Sequence, residues 1–346
     1  MVGAWLCVWL FAGPARGQVD APLPADGAPA TGGSVYQRAA TADLPATPDV
    51  IDASTAVTAA AVSPVASVAA APGPEESAID QAGRAERVVA AAFGGLTRTP
   101  ALSARVRQLV RVGDTVLKGT GRYIQSGVAE DQRYRYEYRL SAKTEEFEVL
   151  DICDGLFAWN YRRLGPHPPH VERIDVRRVR ERLELLGIGH RKDQSAYLGG
   201  VQRDLALLRQ YFRFVSITSA MIDDVPIWSI EGTWNLDALA WLLKDQAEAI
   251  KSEQGVGPQD IPEGMPWSVR LAISKRELFP CRIEWLAIPG RRPVPPQPTQ
   301  VVGLLEFYDV RIGDPIDVSV FVYKPATEGL ADITETYVPN VHPMRQ

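Results

Sequence analysis

Histidine and cysteine, which often carry catalysis or bind metals, are scarce: the 346 residues include four histidines and three cysteines. No P-loop, dinucleotide fingerprint or Ser-His-Asp order is present. His167 and His170 lie in GPHPPH, where the prolines favour an extended loop over a metal site. The sequence therefore predicts a protein that is not an enzyme and binds no metal or cofactor.

The chain also lacks a basic excess. Lys and Arg number 37 against 42 Asp and Glu, which gives a formal net charge of −5. Basic residues are interleaved with acidic ones along the predicted strands, so we expect no nucleic-acid partner. After the first 17 residues no apolar run is long enough to predict a transmembrane helix.

The first 75 residues have a composition unlike the rest of the chain. Residues 1–17 contain a short apolar run followed by small residues, which is typical of a signal peptide. Residues 18–75 are rich in Ala, Pro, Thr and Ser, and this composition favours a disordered leader. The protein is therefore expected to be periplasmic or otherwise exported. The sequence leaves open whether the leader is cleaved or acts as a tether.

The segment Arg133–Leu140 reads RYRYEYRL and alternates strictly between apolar and charged residues. Successive side chains of a strand point to opposite faces of a sheet. The pattern predicts a strand with one apolar and one charged face, as in antiparallel sheets that have one solvated side.

Helices and further amphipathic strands are predicted along the rest of the chain. Ser77 is a suitable N-cap for a helix at 77–95, which Gly94-Gly95 would end. Asp154-Gly155 between two apolar runs predicts a hairpin turn. Other helices are predicted at 177–186, 198–211 and 237–251, and the last strand at 318–323.

Together these elements define an α+β fold of roughly nine or ten antiparallel strands with three or four helices. So many consecutive amphipathic strands favour a strongly curved sheet that wraps around the helices. The folded domain is predicted to cover residues 76–330, and residues 331–346 to form a C-terminal tail.

Three segments resemble the LolA-like superfamily of bacterial periplasmic proteins. They are GTGRYIQSG (119–127), VLDICDGLFAWNY (149–161) and FYDVRIGDPIDVSVFVY (307–323). The resemblance implies an open half-barrel sheet covered by three or four helices, with an apolar cavity between them. It also implies that the partner is a lipid or the acyl chain of a lipoprotein, and a membrane-associated protein is a further candidate partner.

Aromatic residues recur on the predicted strands, where they either fill the core or line a ligand cavity. The cavity candidates are Tyr134, Tyr136, Tyr138, Phe157, Trp159, Trp285, Phe307, Phe321 and Tyr323. Trp234 and Trp241 flank the start of the third predicted helix and belong either to the core or to a mobile cover.

Two cysteines, Cys153 and Cys281, lie beyond the predicted signal peptide. They either form a disulfide or remain two separate buried thiols.

The alternative to ligand binding is a periplasmic sensor or scaffold that binds a protein through the charged face of the sheet. That face would present Arg105, Arg107, Arg111, Arg133, Arg135 and Arg139.

Overall fold

The computed structural model describes residues 77–128, 131–142, 145–187, 199–252, 257, 261–262, 264–288, 299–325 and 330–337. The predicted signal peptide and the leader, residues 1–17 and 18–75, lie outside the described residues.

Twelve strands form one sheet in the described part of the chain. They are β1 (Ala101–Val112), β2 (Thr115–Ser126), β3 (Arg133–Ala142), β4 (Glu145–Cys153), β5 (Phe157–Leu164), β6 (His170–Asp175), β7 (Phe212–Ile222), β8 (Val225–Trp234), β9 (Ser268–Ser274), β10 (Pro280–Ala287), β11 (Gln300–Ile312) and β12 (Leu330–Asp332).

The described residues also form six α-helices and two short 3-10 helices. The α-helices are α1 (Ala78–Arg98), α2 (Val176–Leu185), α3 (Gly200–Tyr211), α4 (Leu236–Leu242), α5 (Ala247–Lys251) and α6 (Thr334–Tyr337), and the 3-10 helices cover Lys244–Gln246 and Val318–Phe321.

The sheet is open, and its strand order is β12-β6-β5-β4-β3-β2-β1-β11-β10-β9-β8-β7. All pairings are antiparallel except that of β12 with β6, which is parallel. The meander from β1 to β6 and the meander from β7 to β11 meet where β1 pairs with β11. The predicted α+β class with an open, curved antiparallel sheet is therefore confirmed.

The two faces of β3 separate as its sequence predicts. Tyr134, Tyr136 and Tyr138 are buried on the face that we call the inner face, and it is covered by α1 and α3. Arg135 and Arg139 alternate with them and lie on the opposite face, the outer face. One apolar cluster lies between the inner face and the helices.

Helix α1 begins where predicted but extends past its predicted end. The Ser77 side chain accepts a hydrogen bond from the Asp80 backbone N–H, as an N-cap does. The helix continues through Gly94-Gly95 to Arg98, because Leu96 is buried in the core and the Thr97 and Thr99 hydroxyls donate to the carbonyls of Gly94 and Gly95.

Three other segments differ from the prediction. The strand expected at 318–323 is a 3-10 helix, because Asp317 caps it by accepting from the Ser319 backbone N–H. The helix expected at 237–251 is divided into α4, a 3-10 turn and α5. Residues 330–337, predicted as a tail apart from Leu330, form β12 and α6 beside β6.

Gly119 and Gly121 allow the sheet to bend between β2 and β3. They pair with Leu140 and Tyr138 of β3. A Cβ atom on Gly119 would lie 1.7 Å from the Arg139 carbonyl oxygen, and one on Gly121 would lie 2.0 Å from the Glu137 carbonyl oxygen. The backbone of β3 therefore occupies the space of two missing side chains, as at the glycine kinks that curve sheets.

We expect Gly121→Ala to lower the free energy of unfolding by about 1–3 kcal/mol, because the obstructing atom is backbone and cannot rotate away. Urea unfolding followed by circular dichroism measures the change. Gly95→Ala is the control, since nothing lies within 4 Å of its added Cβ atom. Equal stability of the two variants would contradict the role assigned to Gly121.

Candidate functional site

A row of tyrosines lies at the centre of the inner face, on the strands that flank the bend. The Tyr123 ring of β2 meets the Tyr136 ring edge-on at 5.8 Å between centroids, and Tyr136 and Tyr138 are 5.2 Å apart. Tyr123 also contacts Phe307 of β11 at 6.3 Å. The row therefore connects the two meanders of the sheet through aromatic contacts.

Helix α3 begins directly against this row. Gly199, which precedes the helix, and Gly200, its first residue, have φ values of +152° and +70°. A Cβ atom on Gly199 would lie 2.0 Å from the Tyr134 hydroxyl oxygen, and one on Gly200 would lie 2.9 Å from that of Tyr123. The glycines thus bring the backbone of α3 close to two tyrosine hydroxyls.

Two glutamines fix the Tyr123 hydroxyl. It lies 2.8 Å from Gln125 Oε1 and 3.2 Å from Gln202 Oε1. Gln125 Nε2 in turn donates to the carbonyls of Leu96 and Thr99, both at 3.1 Å. This buried network joins β2, α1 and α3, so its polar atoms are satisfied without solvent.

A second polar group lies beside the tyrosines of β3. Arg162 of β5 forms an ion pair with Asp151 of β4, with 2.7 Å between Nη1 and Oδ1. Arg203 and Asp204 extend the group from α3. Two anionic and two cationic side chains therefore lie close to the inner face.

Asp204 is the most perturbed carboxyl of this group. Burial raises its pKa to about 7, the Arg203 guanidinium opposes this shift, and Asp151 adds to it. Its Oδ2 atom is out of contact with solvent and has no hydrogen-bond partner among the described residues. Ionising a buried carboxyl that has no hydrogen-bond partner costs free energy.

The Tyr136 hydroxyl is buried in the same region, and it too makes no hydrogen bond within the described ranges. Burial, followed by the charge of Asp204, raises the pKa of Tyr136 well above its usual value. Both side-chain amide atoms of Gln108 on β1 are likewise buried without a hydrogen-bond partner among the described residues.

The structure divides the nine aromatic candidates between two faces. Five lie together in the inner cluster: Tyr134, Tyr136, Tyr138, Trp285 and Phe307. Three form a separate cluster on the outer face with ring centroids 5.8–5.9 Å apart: Phe157, Trp159 and Tyr323. Phe321 is buried on the 3-10 helix that follows β11.

The face of Trp159 follows from the strand register. Trp159 pairs with Ile152, which pairs with Arg135 on the outer face, and paired residues share a face. Phe157, Trp159 and Tyr323 therefore cannot line one cavity together with Tyr134, Tyr136 and Tyr138.

The disulfide considered for Cys153 and Cys281 is not formed, and both thiols are free. Cys153 lies on β4 and Cys281 on β10, with four strands between them. Neighbouring strands are about 4.8 Å apart, whereas a disulfide requires Cα atoms within about 7 Å. Cys153 packs as a buried apolar residue in the inner cluster.

Four of the six arginines predicted for the outer face are paired with acidic residues. Arg105 lies 3.5 Å from Asp309, Arg135 lies 2.6 Å from Glu137, and Arg139 lies 2.9 Å from Glu148. Arg107 similarly pairs with Glu306 at 2.5 Å. The charges of these four arginines are therefore largely neutralised within the sheet.

The sequence patterns did not indicate Asp151, Arg162, Arg203 or Asp204 as site residues. A signal was present for Asp204, because it lies three residues after Val201 and four before Leu208 in the apolar stripe of α3. A carboxyl in such a stripe indicates a buried polar site.

Nowhere in the described ranges do three or more His, Cys, Asp or Glu side chains group as metal ligands would. Among the helices in these ranges, none has the length and apolar character needed to cross a membrane.

Comparison with known proteins returned solved structures alone. No protein-family model matches the chain. No curated protein matches it either.

The matching solved structures include MucB, LprF from Mycobacterium bovis, and a putative outer membrane lipoprotein-sorting protein domain from Vibrio parahaemolyticus. MucB is 9% identical with a TM-score of 0.36, and the match covers 70% of this chain and 63% of MucB. LprF is 10% identical with a TM-score of 0.33, over 69% of this chain and 97% of LprF. The sorting domain is 11% identical with a TM-score of 0.26, over 71% and 97%.

Identities and TM-scores of this size carry no functional argument, so the function is derived from the residues of this chain.

The pKa of Asp204 predicts a dependence of stability on pH. Its pKa of about 7 in the folded state exceeds the ordinary value of 3.8, so the folded protein binds the extra proton. The contribution of the protonated Asp204 carboxyl to the free energy of unfolding is complete below about pH 4. This contribution falls as the pH rises to about 7, by at most about 1.4 kcal/mol per pH unit. We expect Asp204→Asn to remove this slope in urea unfolding between pH 4 and 8.

The matched control for this experiment is Asp245→Asn, which changes an exposed carboxyl. It should retain the pH dependence of the unsubstituted protein. An unchanged slope in Asp204→Asn would show that Asp204 is not the titrating group.

Proposed function

We propose that the protein is exported and binds a lipid or acyl chain between the inner face of its sheet and the covering helices, without catalysing a reaction. The observation that carries this proposal is the continuous, aromatic-rich apolar interior of an open sheet. It extends from the tyrosines of β3 to Trp285 of β10 and Phe307 of β11. Burial of an acyl chain there would contribute about 0.8 kcal/mol per CH₂ group.

The cover over one end of this interior supports ligand entry. Residues Leu236–Lys251 form α4, a 3-10 turn and α5, and none of these pieces exceeds two turns. Helices this short depend on packing for their stability. A cover built from them can open at less cost than a long helix could.

The apolar residues of this cover face in two directions. Leu239 and Ile250 are fully buried, whereas Leu236 is 45% and Trp241 is 42% exposed. Trp234, at the entrance to α4, belongs to the core, where its Nε1–H donates to the Pro266 carbonyl at 2.8 Å. Trp241 is therefore the better candidate for the mobile cover.

The alternative, binding of a protein through the charged outer face, has less support. Four of its six arginines already pair with Asp309, Glu306, Glu137 and Glu148, so a partner that bound them would have to break these contacts. A lipoprotein that carries the bound acyl chain, or a membrane-associated protein, remains a partner within the proposal.

Native purification of the full chain from an exporting host, followed by organic extraction and lipid mass spectrometry, tests the proposal. We expect about one lipid per chain, because an apolar chain would leave water for the interior. A lipid-free protein that also binds no fatty-acyl probe would overturn the proposal.

A photoactivatable palmitate analogue locates the ligand. We expect cross-links on the inner face, at residues such as Tyr138 and Trp285. The cluster of Phe157, Trp159 and Tyr323 is a built-in control, since it is aromatic but lies on the outer face. Labelling confined to that cluster would contradict the inner-face assignment.

A further inference from the structure

Two buried polar atoms on opposite sides of the inner space have no partner within the described residues. They are the Tyr136 hydroxyl on β3 and Oδ2 of Asp204 on α3. Tyr136 is 6% exposed, and α3 packs on β3. A buried polar group without a partner lowers the stability of the protein, and native proteins contain few of them.

The two atoms are electrostatic neighbours. The charge of Asp204 is the largest influence on the pKa of Tyr136 after burial itself. The nearby Tyr123 hydroxyl already has partners in Gln125 and Gln202. Both side-chain amide atoms of Gln108 on β1 are also buried without a partner in the described ranges. Of these atoms, the Tyr136 hydroxyl and Asp204 Oδ2 are the donor and the acceptor carried by β3 and α3, which pack on each other.

The charges around this pair determine which ligand group fits. Arg162 and Asp151 form an ion pair, while Arg203 lies near Asp204 and opposes the rise of its pKa. An anionic head group would be repelled by Asp151 and Asp204, and a cationic one by Arg162 and Arg203. A neutral group that both donates and accepts a hydrogen bond meets neither penalty.

We propose that Asp204 and Tyr136 form a binding site for a hydroxyl group on an otherwise apolar ligand. The hydroxyl donates to Asp204 Oδ2 and accepts from the Tyr136 O–H, while the hydrocarbon part lies in the aromatic interior. Esters and ethers lack the donor, and a carboxylate carries an unfavourable charge. This inference rests on the proposed function and specifies the head group of its ligand.

Dodecan-1-ol and 1-methoxydodecane are suitable probes, because the ether retains the oxygen and the chain but has no donor. Displacement of a fluorescent fatty-acid probe from the full chain at pH 8 measures both. This pH keeps Asp204 an acceptor, because burial raises its pKa only to about 7. We expect the alcohol to bind about tenfold more tightly or better, the size of one hydrogen bond to a charged group.

Tyr136→Phe and Asp204→Leu should each abolish the preference for the alcohol while still binding the ether. Tyr136→Phe removes only a hydroxyl without a partner in the described chain, so the variant should fold with equal or greater stability in urea. Tyr308→Phe is the matched control and should keep the preference, since Tyr308 lies under Arg107 away from the inner cluster.

Each outcome has a distinct meaning. Equal binding of alcohol and ether to the unsubstituted protein overturns the hydroxyl site but leaves the proposed apolar ligand in place. Binding of neither probe overturns the proposed function itself. A preference that persists in Tyr136→Phe and Asp204→Leu places the hydroxyl elsewhere and overturns the assignment to these two residues.

Discussion

The close approach of the β3 backbone to Gly119 and Gly121 is the constraint on which the rest of the inner face depends. Because these residues have no side chain, β3 can fold over β2 and direct its tyrosines towards the helices. Glycines also allow a close backbone approach at the start of α3, where Gly199 and Gly200 lie against the Tyr134 and Tyr123 hydroxyls. With α3 packed on β3, the charge of Asp204 acts on the Tyr136 hydroxyl.

The interior that results is apolar over most of its extent and polar at one position. Asp151, Arg162, Arg203 and Asp204 balance one another in charge, which limits the cost of holding them away from water. An entirely apolar interior would be more stable but would select ligands by size alone. Unpartnered polar atoms lower the stability of the empty protein and provide chemical selectivity in return.

Local patterns in the sequence predicted local structure well. The alternation in Arg133–Leu140 correctly separated buried tyrosines from outward arginines, and Asp154-Gly155 forms the predicted turn, with Asp154 Oδ1 accepting from the Phe157 N–H. Features set by distant pairings could not be predicted. The alternation of side chains along a strand does not show which face of β5 is the inner one. The separation of Cys153 from Cys281 depends on the non-local pairing of β1 with β11.

That pairing also has a kinetic consequence. Arg107 of β1 and Glu306 of β11 are partners 199 residues apart in sequence. The meanders on either side consist of hairpins between consecutive strands, which close short loops and form quickly. The pairing of β1 with β11, which joins the two meanders, requires the closure of a far longer loop. The seam between β1 and β11 is therefore expected to form late, and to limit the rate at which the whole sheet folds.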